Sequence, residues 1–285
     1  MTESTTLISH KLNPSLFPLV DIAGNLTNKA FRGDLPAVLA RAAEAGIRGI
    51  VIAGVSAPSS QQAIGLANAN EHAEHKRPRL VTTAGIHPHH ASTASPDVLR
   101  TIADLVPNPR VSAVGECGLD YNRNFSPRDA QRHAFEAQLE IAAGAGKPVY
   151  LHERDAHDEF LEIMKRWRPK LKAGVVHCFT GSRATLQAYL DLDLHIGITG
   201  WICDERRGTH LRDLVRLIPA DRLMVETDCP YILPRDLPGH PKSGRNEPAF
   251  VAHVASTVAA CREESFADLA ASTTRTAAQL FSLAL

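Results

Sequence analysis

The sequence predicts an α/β chain folded as a (β/α)8 TIM barrel. Three observations lead there. Short apolar runs alternate with amphipathic stretches, the pattern of parallel strands joined by crossover helices. Eight such units fit into residues 18–285 of the 285-residue chain, which is the count and size of a closed barrel. Four of the runs end in a side chain able to bind a metal ion. In a closed barrel all strand ends ring one mouth, so those four can meet. In an open doubly wound sheet, the competing arrangement, strands so distant in order would seldom converge.

Leu19-Val20-Asp21-Ile22 reads as the first strand. From Asp34 to Ala45, the residues Leu35, Val38, Leu39 and Ala42 share one helical face, and Gly46 supplies a C-cap. A second strand covers Gly49–Ala53, and a second helix covers Ser59–Asn70 with a serine cap at Ser59 or Ser60. The third strand, Leu80–Ala84, leads into Gly85-Ile86-His87-Pro88-His89-His90. A helix near Pro96–Leu105 precedes the apolar run Val111–Val114, which stops at Gly115 and delivers Glu116. A long amphipathic helix spans Arg128–Ala145, and the strand Val149–Leu151 then ends in His152. A helix over Asp155–Trp167 leads to Gly174–Val176, which ends in His177. Arg183–Leu190 is helical, His195–Ile198 is the seventh strand, and Leu211–Ile218 is helical. The eighth strand, Leu223–Thr227, ends in Asp228. Helices near Pro248–Ala260 and Phe266–Ala284 close the chain. Residues 1–17 read as a loose N-terminal extension and 18–285 as a single barrel domain; no repeat, linker or charge block divides them.

Composition narrows the function. Hydrophobic residues make up 44% of the chain, enough for a sizeable core, and the formal net charge is zero. That balance argues against a broad footprint on duplex nucleic acid but leaves room for a local pocket holding a few nucleotides. No apolar run approaches the roughly 20 residues that span a bilayer, and the first residues lack the pattern of a signal peptide. No membrane partner and a cytoplasmic location are expected. The five cysteines form no Cys-x-x-Cys pair, so neither a disulfide framework nor a zinc ribbon is indicated, and reduced thiols suit the cytoplasm. Cys117, Cys178 and Cys229 each follow a candidate ligand. Strand alternation sends them to the helix layer or leaves them at the turn, as small core residues.

A carboxylate at the end of an apolar strand is costly to bury without a positive partner. A lone histidine there is commonly a hydrogen-bonded structural residue. Two histidines, Glu116 and Asp228 at the same strand ends point instead to a metal ion held by Glu116, His152, His177 and Asp228. Imidazole suits Zn²⁺ and its neighbours, whereas carboxylates also accept Mg²⁺ and Mn²⁺. The chemistry expected is hydrolysis, with water activated by the cation and Asp228 as general base.

Several motifs carry a resemblance. Gly115-Glu116-Cys117-Gly118-Leu119-Asp120, His152-Glu153-Arg154-Asp155-Ala156, His177-Cys178-Phe179-Thr180-Gly181, Glu226-Thr227-Asp228-Cys229-Pro230-Tyr231 and Gly85-Ile86-His87-Pro88-His89 resemble, in order and spacing, the motifs of the TatD family of metal-dependent deoxyribonucleases. The likeness runs from about Val20 to the C-terminus. Gly200 to Gly208 and Arg245-Asn246-Glu247-Pro248 are similar to the family's eponymous subgroup. The resemblance implies a barrel of the amidohydrolase superfamily type, hydrolysing phosphodiester bonds from the 3′ end of single-stranded DNA or RNA, with Mg²⁺ or, alternatively, Mn²⁺ or Zn²⁺. It carries over Glu116, His152 and His177 as ligands and Asp228 as ligand or base.

One departure stands out. Many members of the family have a His-x-His pair after the first strand, where this chain has Ala23 and Asn25. Alanine has no donor atom and Asn is a weak oxygen ligand. The expectation is therefore one tightly held ion at Glu116, His152 and His177. A second, near Glu116, Asp228 and Asn25, would arrive with substrate and keep several waters.

Substrate contacts are expected from His87, His89, Asn25, Arg154 and Arg245. The histidines could equally be a solvated turn, and Arg154 a surface partner of Asp155 or Asp158. Arg123, Arg206, Arg207 and Arg245 would give a basic rim, and Tyr121, Phe125, Trp201 and Tyr231 lie in the same loops, where they could stack on bases or simply pack. A metal-dependent hydrolase of a small amide or ester, and a non-catalytic binding or quality-control barrel, are the alternative functions, because a fold does not fix a function. A Cys178–His177 nucleophilic pair is disfavoured because adjacent strand residues point apart. A monomer is expected.

Overall fold

Every strand pairs in parallel with the next one in the sequence, which is what the alternation of apolar runs and helical stretches demands. The computed structural model describes residues 17–71 and 77–285; the proposed extension thus lies almost wholly outside the described residues. The strands are β1 (Leu19–Gly24), β2 (Ile47–Ile52), β3 (Arg79–Ala84), β4 (Val111–Asp120), β5 (Val149–Arg154), β6 (Gly174–Val176), β7 (His195–Ile198) and β8 (Leu223–Val225). Between and after them run α1 (Leu35–Glu44), α2 (Ala57–Glu71), α3 (Pro96–Leu105), α4 (Arg128–Ala145), α5 (His157–Trp167), α6 (Arg183–Asp191), α7 (Thr209–Leu214), α8 (Val251–Arg262) and α9 (Phe266–Phe281).

Local chemistry explains most boundaries. Ser95, Ser182 and Ser265 cap α3, α6 and α9 by accepting the N–H of Val98, Thr185 and Asp268. The serine reading for α2 needs correction. Ser59 and Ser60 lie inside the helix, and Ser56 precedes it, with the Ser59 hydroxyl folded back to accept the N–H groups of Val55 and Ser56. Helix α5 starts two residues later than expected because Asp155 sits in the left-handed region, at φ 55°. The stretch Pro248–Phe250 is a 3₁₀ turn rather than the start of α8.

The largest departure is in β4. The apolar run stops at Gly115, but the strand continues to Asp120. After a register shift between Val114 and Cys117, it pairs again with β5 from Cys117–Leu151 to Asp120–Arg154. This extension carries a second carboxylate to the mouth.

Alternation along the strands separates two apolar clusters. Residues such as Leu19, Ile50, Leu80, Val114, Leu151, Ile196 and Leu223 pack outward under the helices. Their neighbours Val20, Ile22, Val51, Ala113, Tyr150, Val175 and Met224 fill the inside, together with Leu280, Phe281 and Leu283 at the end of the chain. Cys117 and Cys229 belong to the outer cluster, as strand alternation predicts.

The ring closes between β8 and β1 with little backbone pairing: a single bridge joins Gly24 to Cys229, and Asn25 N–H donates to the Cys229 carbonyl at 2.9 Å. The Asp21 carboxylate does the remaining work across the seam. It accepts Thr227 N–H at 2.9 Å, Thr227 Oγ1–H at 2.6 Å and Ala23 N–H at 3.2 Å, and it is fully buried. Replacing Asp21 with Ala strands those donors in the interior. Asp21→Ala is expected to lower the unfolding free energy measured in urea by about 3 kcal/mol; a loss below about 1 kcal/mol would show that the backbone bridge alone closes the ring.

Candidate active site

The strand ends bring Glu116 and Asp120 from β4, His152 from β5, His177 just past β6 and Asp228 just past β8 to one cavity of about 870 Å³. Asn25 after β1 and His87 and His89 after β3 line the same space.

Its centre is one oxygen. Glu116 Oε1 lies 2.9 Å from His152 Nδ1, 2.8 Å from His177 Nε2 and 3.2 Å from His87 Nε2. Burial works against the Glu116 charge, but the His177 and His87 imidazoles beside it hold the carboxyl well below its ordinary range. Burial likewise opposes charge on His177, while Glu116 pulls its affinity for a proton well above that of a free imidazole.

The outer nitrogen of each ring decides what the inner one can do. His177 Nδ1 faces Glu226 Oε1 at 3.8 Å, and His152 Nε2 faces Asp120 Oδ2 at 3.4 Å. With a cation bound, protons on those outer nitrogens would leave lone pairs on His177 Nε2 and His152 Nδ1, which are 3.4 Å apart and both beside Glu116. Two imidazole lone pairs and a carboxylate oxygen meeting at one point, with both outer nitrogens buried and lacking a full hydrogen bond, form a donor set that fits a divalent cation. Each ligand is then backed by an acid, the arrangement that fixes tautomer and ring orientation in metal sites.

His87 differs. Its ligand atom lies within 4.8 Å of those of Glu116 and His152, but its Nδ1 accepts the N–H of His89 at 3.0 Å. The proton of the neutral ring therefore resides on Nε2, which donates toward Glu116 and offers no lone pair to an ion. Burial pushes the His87 pKa down to about 4, which keeps that ring neutral.

Asp228 stands opposite Asn25, whose Nδ2 donates to Asp228 Oδ1 at 2.9 Å. The aspartate occupies the left-handed region, at φ 54°, a conformation that costs a non-glycine residue free energy and tends to cluster at functional sites. Burial pushes its carboxyl up to about 7.

Two buried acids, Asp120 and Glu226, were not among the candidates. Asp120 Oδ2 accepts from His89 Nε2 at 2.7 Å besides facing His152. Burial raises its carboxyl and the two histidines lower it, leaving it well below the ordinary range. Glu226 is fully buried and accepts the Cys178 N–H. A Cβ at Gly197 would come within 3.0 Å of its carboxyl carbon and both oxygens, so β7 needs a glycine there. The signal was a period of two: Glu116, Gly118 and Asp120 share one face of β4, and Glu226 precedes Asp228 by the same step.

At the rim the expected residues divide. Arg123, Arg154 and Arg207 line the cavity, as do Trp201, Phe125 and Tyr231. Phe125 is 67% exposed and Tyr231 55%, so both rings present free surface at the mouth. Arg245 leaves the substrate set. Its guanidinium binds Asp34 at 2.8 and 2.6 Å, Glu247 at 2.7 Å and the Ala30 carbonyl at 2.7 Å, holding the loop after β8 to the start of α1. Arg206 is turned to Asp204 at 3.1 Å, and the Tyr121 hydroxyl donates to Glu159 at 2.5 Å. Neither Arg206 nor Tyr121 lines the cavity. Cys178 does so because its φ of 49° interrupts the alternation, but burial raises its thiol well above the ordinary range, which leaves it a poor nucleophile.

A family model described as TatD related DNase matches residues 20–282. A protein of Erwinia amylovora named 3′-5′ ssDNA/RNA exonuclease TatD is 52% identical over 93% of this chain and 100% of its own length. Among solved structures, a TatD homologue from Escherichia coli K12 superposes with a TM-score of 0.83 at 28% identity, covering 93% of this chain and 98% of that one. An amidohydrolase from Saccharomyces cerevisiae, at 24% identity and a TM-score of 0.82 over 93% of this chain and 100% of its own, shares the fold.

If Glu226 orients His177, removing its charge weakens the ion without unfolding the barrel. Glu226→Gln is expected to lower Mn²⁺ affinity by about 10-fold or more in isothermal titration calorimetry. Unchanged affinity would confine Glu226 to holding the Cys178 backbone.

Proposed function

Because the chain belongs to the TatD related DNase family, we propose that this mouth hydrolyses phosphodiester bonds, removing nucleotides from the 3′ end of single-stranded DNA and RNA. The observation that carries the reading is the convergence of His152 Nδ1 and His177 Nε2 on Glu116 Oε1. The names of relatives such as that of Erwinia tasmaniensis, 50% identical over 93% of this chain, support the substrate class.

Glu116, His152 and His177 would hold the cation, with Mg²⁺ our first choice and Mn²⁺ or Zn²⁺ suited to the two imidazoles. Such an ion polarises the phosphoryl group and makes a water acidic. The protein's own groups supply the rest. Asp228, with its proton affinity lifted toward neutrality, accepts the proton of the attacking water and passes it on as a general base does. Asn25 fixes the Asp228 carboxylate by its amide. His87 and the mouth arginines Arg123, Arg154 and Arg207 line the space that phosphates would occupy, and guanidinium binds phosphate by paired hydrogen bonds. Phe125, Trp201 and Tyr231 offer stacking faces to unpaired bases.

The rim favours this substrate over a small amide or ester, which would need neither three arginines nor exposed rings. The buried ligand set disfavours a purely non-catalytic barrel, because such groups are costly to retain unpaired. A monomer working in the cytoplasm is part of the same reading. Cysteines that are all free fit a reducing compartment.

Two experiments test the reading. Single-stranded DNA labelled at either end should lose its 3′ label first with Mg²⁺ or Mn²⁺ and not with EDTA. His152→Ala should abolish the reaction, and Asp228→Asn should slow it by about 10² to 10⁴-fold; no hydrolysis of DNA or RNA by folded, ion-loaded protein would overturn the assignment. Phe125→Ala and Tyr231→Ala should each raise KM for single strands by about 5- to 100-fold with kcat nearly unchanged, whereas an unaltered KM would remove stacking from the binding mode.

A further inference from the structure

A second set of ligand-type side chains lies behind the wall of the mouth, away from the centre at Glu116. Cys203, Asp236 and His253 each present one donor atom, and all three atoms lie within 4.8 Å of one another. They come from separate segments. Cys203 ends the 3₁₀ turn Gly200–Cys203, Asp236 lies in the loop after β8, and His253 lies in the first turn of α8. His253 Nε2 and Asp236 Oδ1 are 2.7 Å apart. Cys203 Sγ is buried and lies 3.4 Å from Thr257 Oγ1, one turn further along α8. The His253 and Asp236 side chains remain partly open to solvent. A groove of about 560 Å³, lined by Asp236, Thr257, Cys261 and two arginines, opens beside the set.

We propose that Cys203, Asp236 and His253 bind a zinc-class divalent cation, with its fourth position toward the groove. The chemistry of the donors carries the proposal. A thiolate, an imidazole and a carboxylate together are a tetrahedral Zn²⁺ set, whereas hard ions such as Mg²⁺ avoid sulfur. The alternative is a hydrogen-bonded brace in which the Cys203 thiol donates to Thr257 Oγ1 and the His253 ring donates to Asp236. Burial pushes the thiol up to about 12, so without a cation it stays protonated, but a coordinating thiol is deprotonated outright. The ion would join two pieces of the mouth wall to α8: Cys203 is two residues from Trp201 and Asp236 five from Tyr231, and both of those rings line the cavity. Its role is to fix that wall. The site shares no ligand with the centre at Glu116 and does not rest on the proposed nuclease activity.

Co²⁺ titration of the full chain tests this, because cobalt bound to thiolate shows a sulfur-to-metal charge-transfer absorption that histidine and carboxylate ligands do not give. Wild type and His152→Ala should both develop the band, with one equivalent of Co²⁺. Cys203→Ser should lose it together with one equivalent of bound ion, and Asp236→Asn, a conservative change at a half-exposed position, should weaken the affinity that the band reports. Nuclease activity on short strands should persist in both of these variants. Absence of the band in wild type, or its survival in Cys203→Ser through Cys178 or Cys261, would overturn the proposal and leave the three side chains as a hydrogen-bonded brace.

Discussion

The site depends on one buried carboxylate. Glu116 is 4% exposed, and a charge that deep is tolerated only with partners that offset lost hydration. Three imidazoles surround one of its oxygens. Two of them are backed by further acids, Asp120 behind His152 and Glu226 behind His177. Positive and negative groups thus alternate outward from the centre. Deleting a member of such a layered cluster leaves its neighbour buried without its partner, at a cost in stability. With a cation in place the outer acids would hold protons on the far nitrogens of His152 and His177, freeing the inner lone pairs, while His87 keeps its hydrogen on Nε2.

The ring that holds these groups is weakest where it closes. Seven neighbouring strand pairs form ladders, but β8 meets β1 through one bridge. Asp21 compensates by reaching across to Thr227, the residue between Glu226 and Asp228. With Thr227 held at the seam, the chain just beyond β8 places Glu226 against His177 and Asp228 in the cavity, the latter at a left-handed φ of 54°. Burial pushes the Asp21 carboxyl up to about 7, so the seam is itself a strained electrostatic arrangement, supported because both edges are held elsewhere by helices. One of those supports is the Arg245 network, which ties the loop after β8 to α1.

The barrel, and the meeting of Glu116, His152, His177 and Asp228 at one mouth, were legible because they follow from periodicity and from residue types that cannot be buried alone. Helix α4, from Arg128 to Ala145, and strand β7, from His195 to Ile198, fall where the pattern puts them. What the pattern missed depends on contacts distant in sequence. Asp120 lies beyond a glycine that reads as a stop, and only pairing with β5 carries the strand on to it. Glu226 sits inside a recognisable motif, but its partner glycine is on another strand. Arg245 reads as a rim cation until Asp34, more than 200 positions away in the chain, takes both of its terminal nitrogens. Side-chain type is local information; which charge meets which is not.

That last distinction bears on how a chain of zero net charge can serve a polyanion. Arginines near the mouth fall into two groups. Arg206 and Arg245 are neutralised by Asp204 and by Asp34 with Glu247, and they brace the loops. Arg123, Arg154 and Arg207 line the cavity itself. The field felt by a strand end is set by those three over the Debye length of about 8 Å at physiological salt, not by the sum over the surface. A duplex needs a broad basic face. The Glu116 centre, those arginines and the exposed rings of Phe125 and Tyr231 instead all border one cavity, an arrangement suited to a single strand.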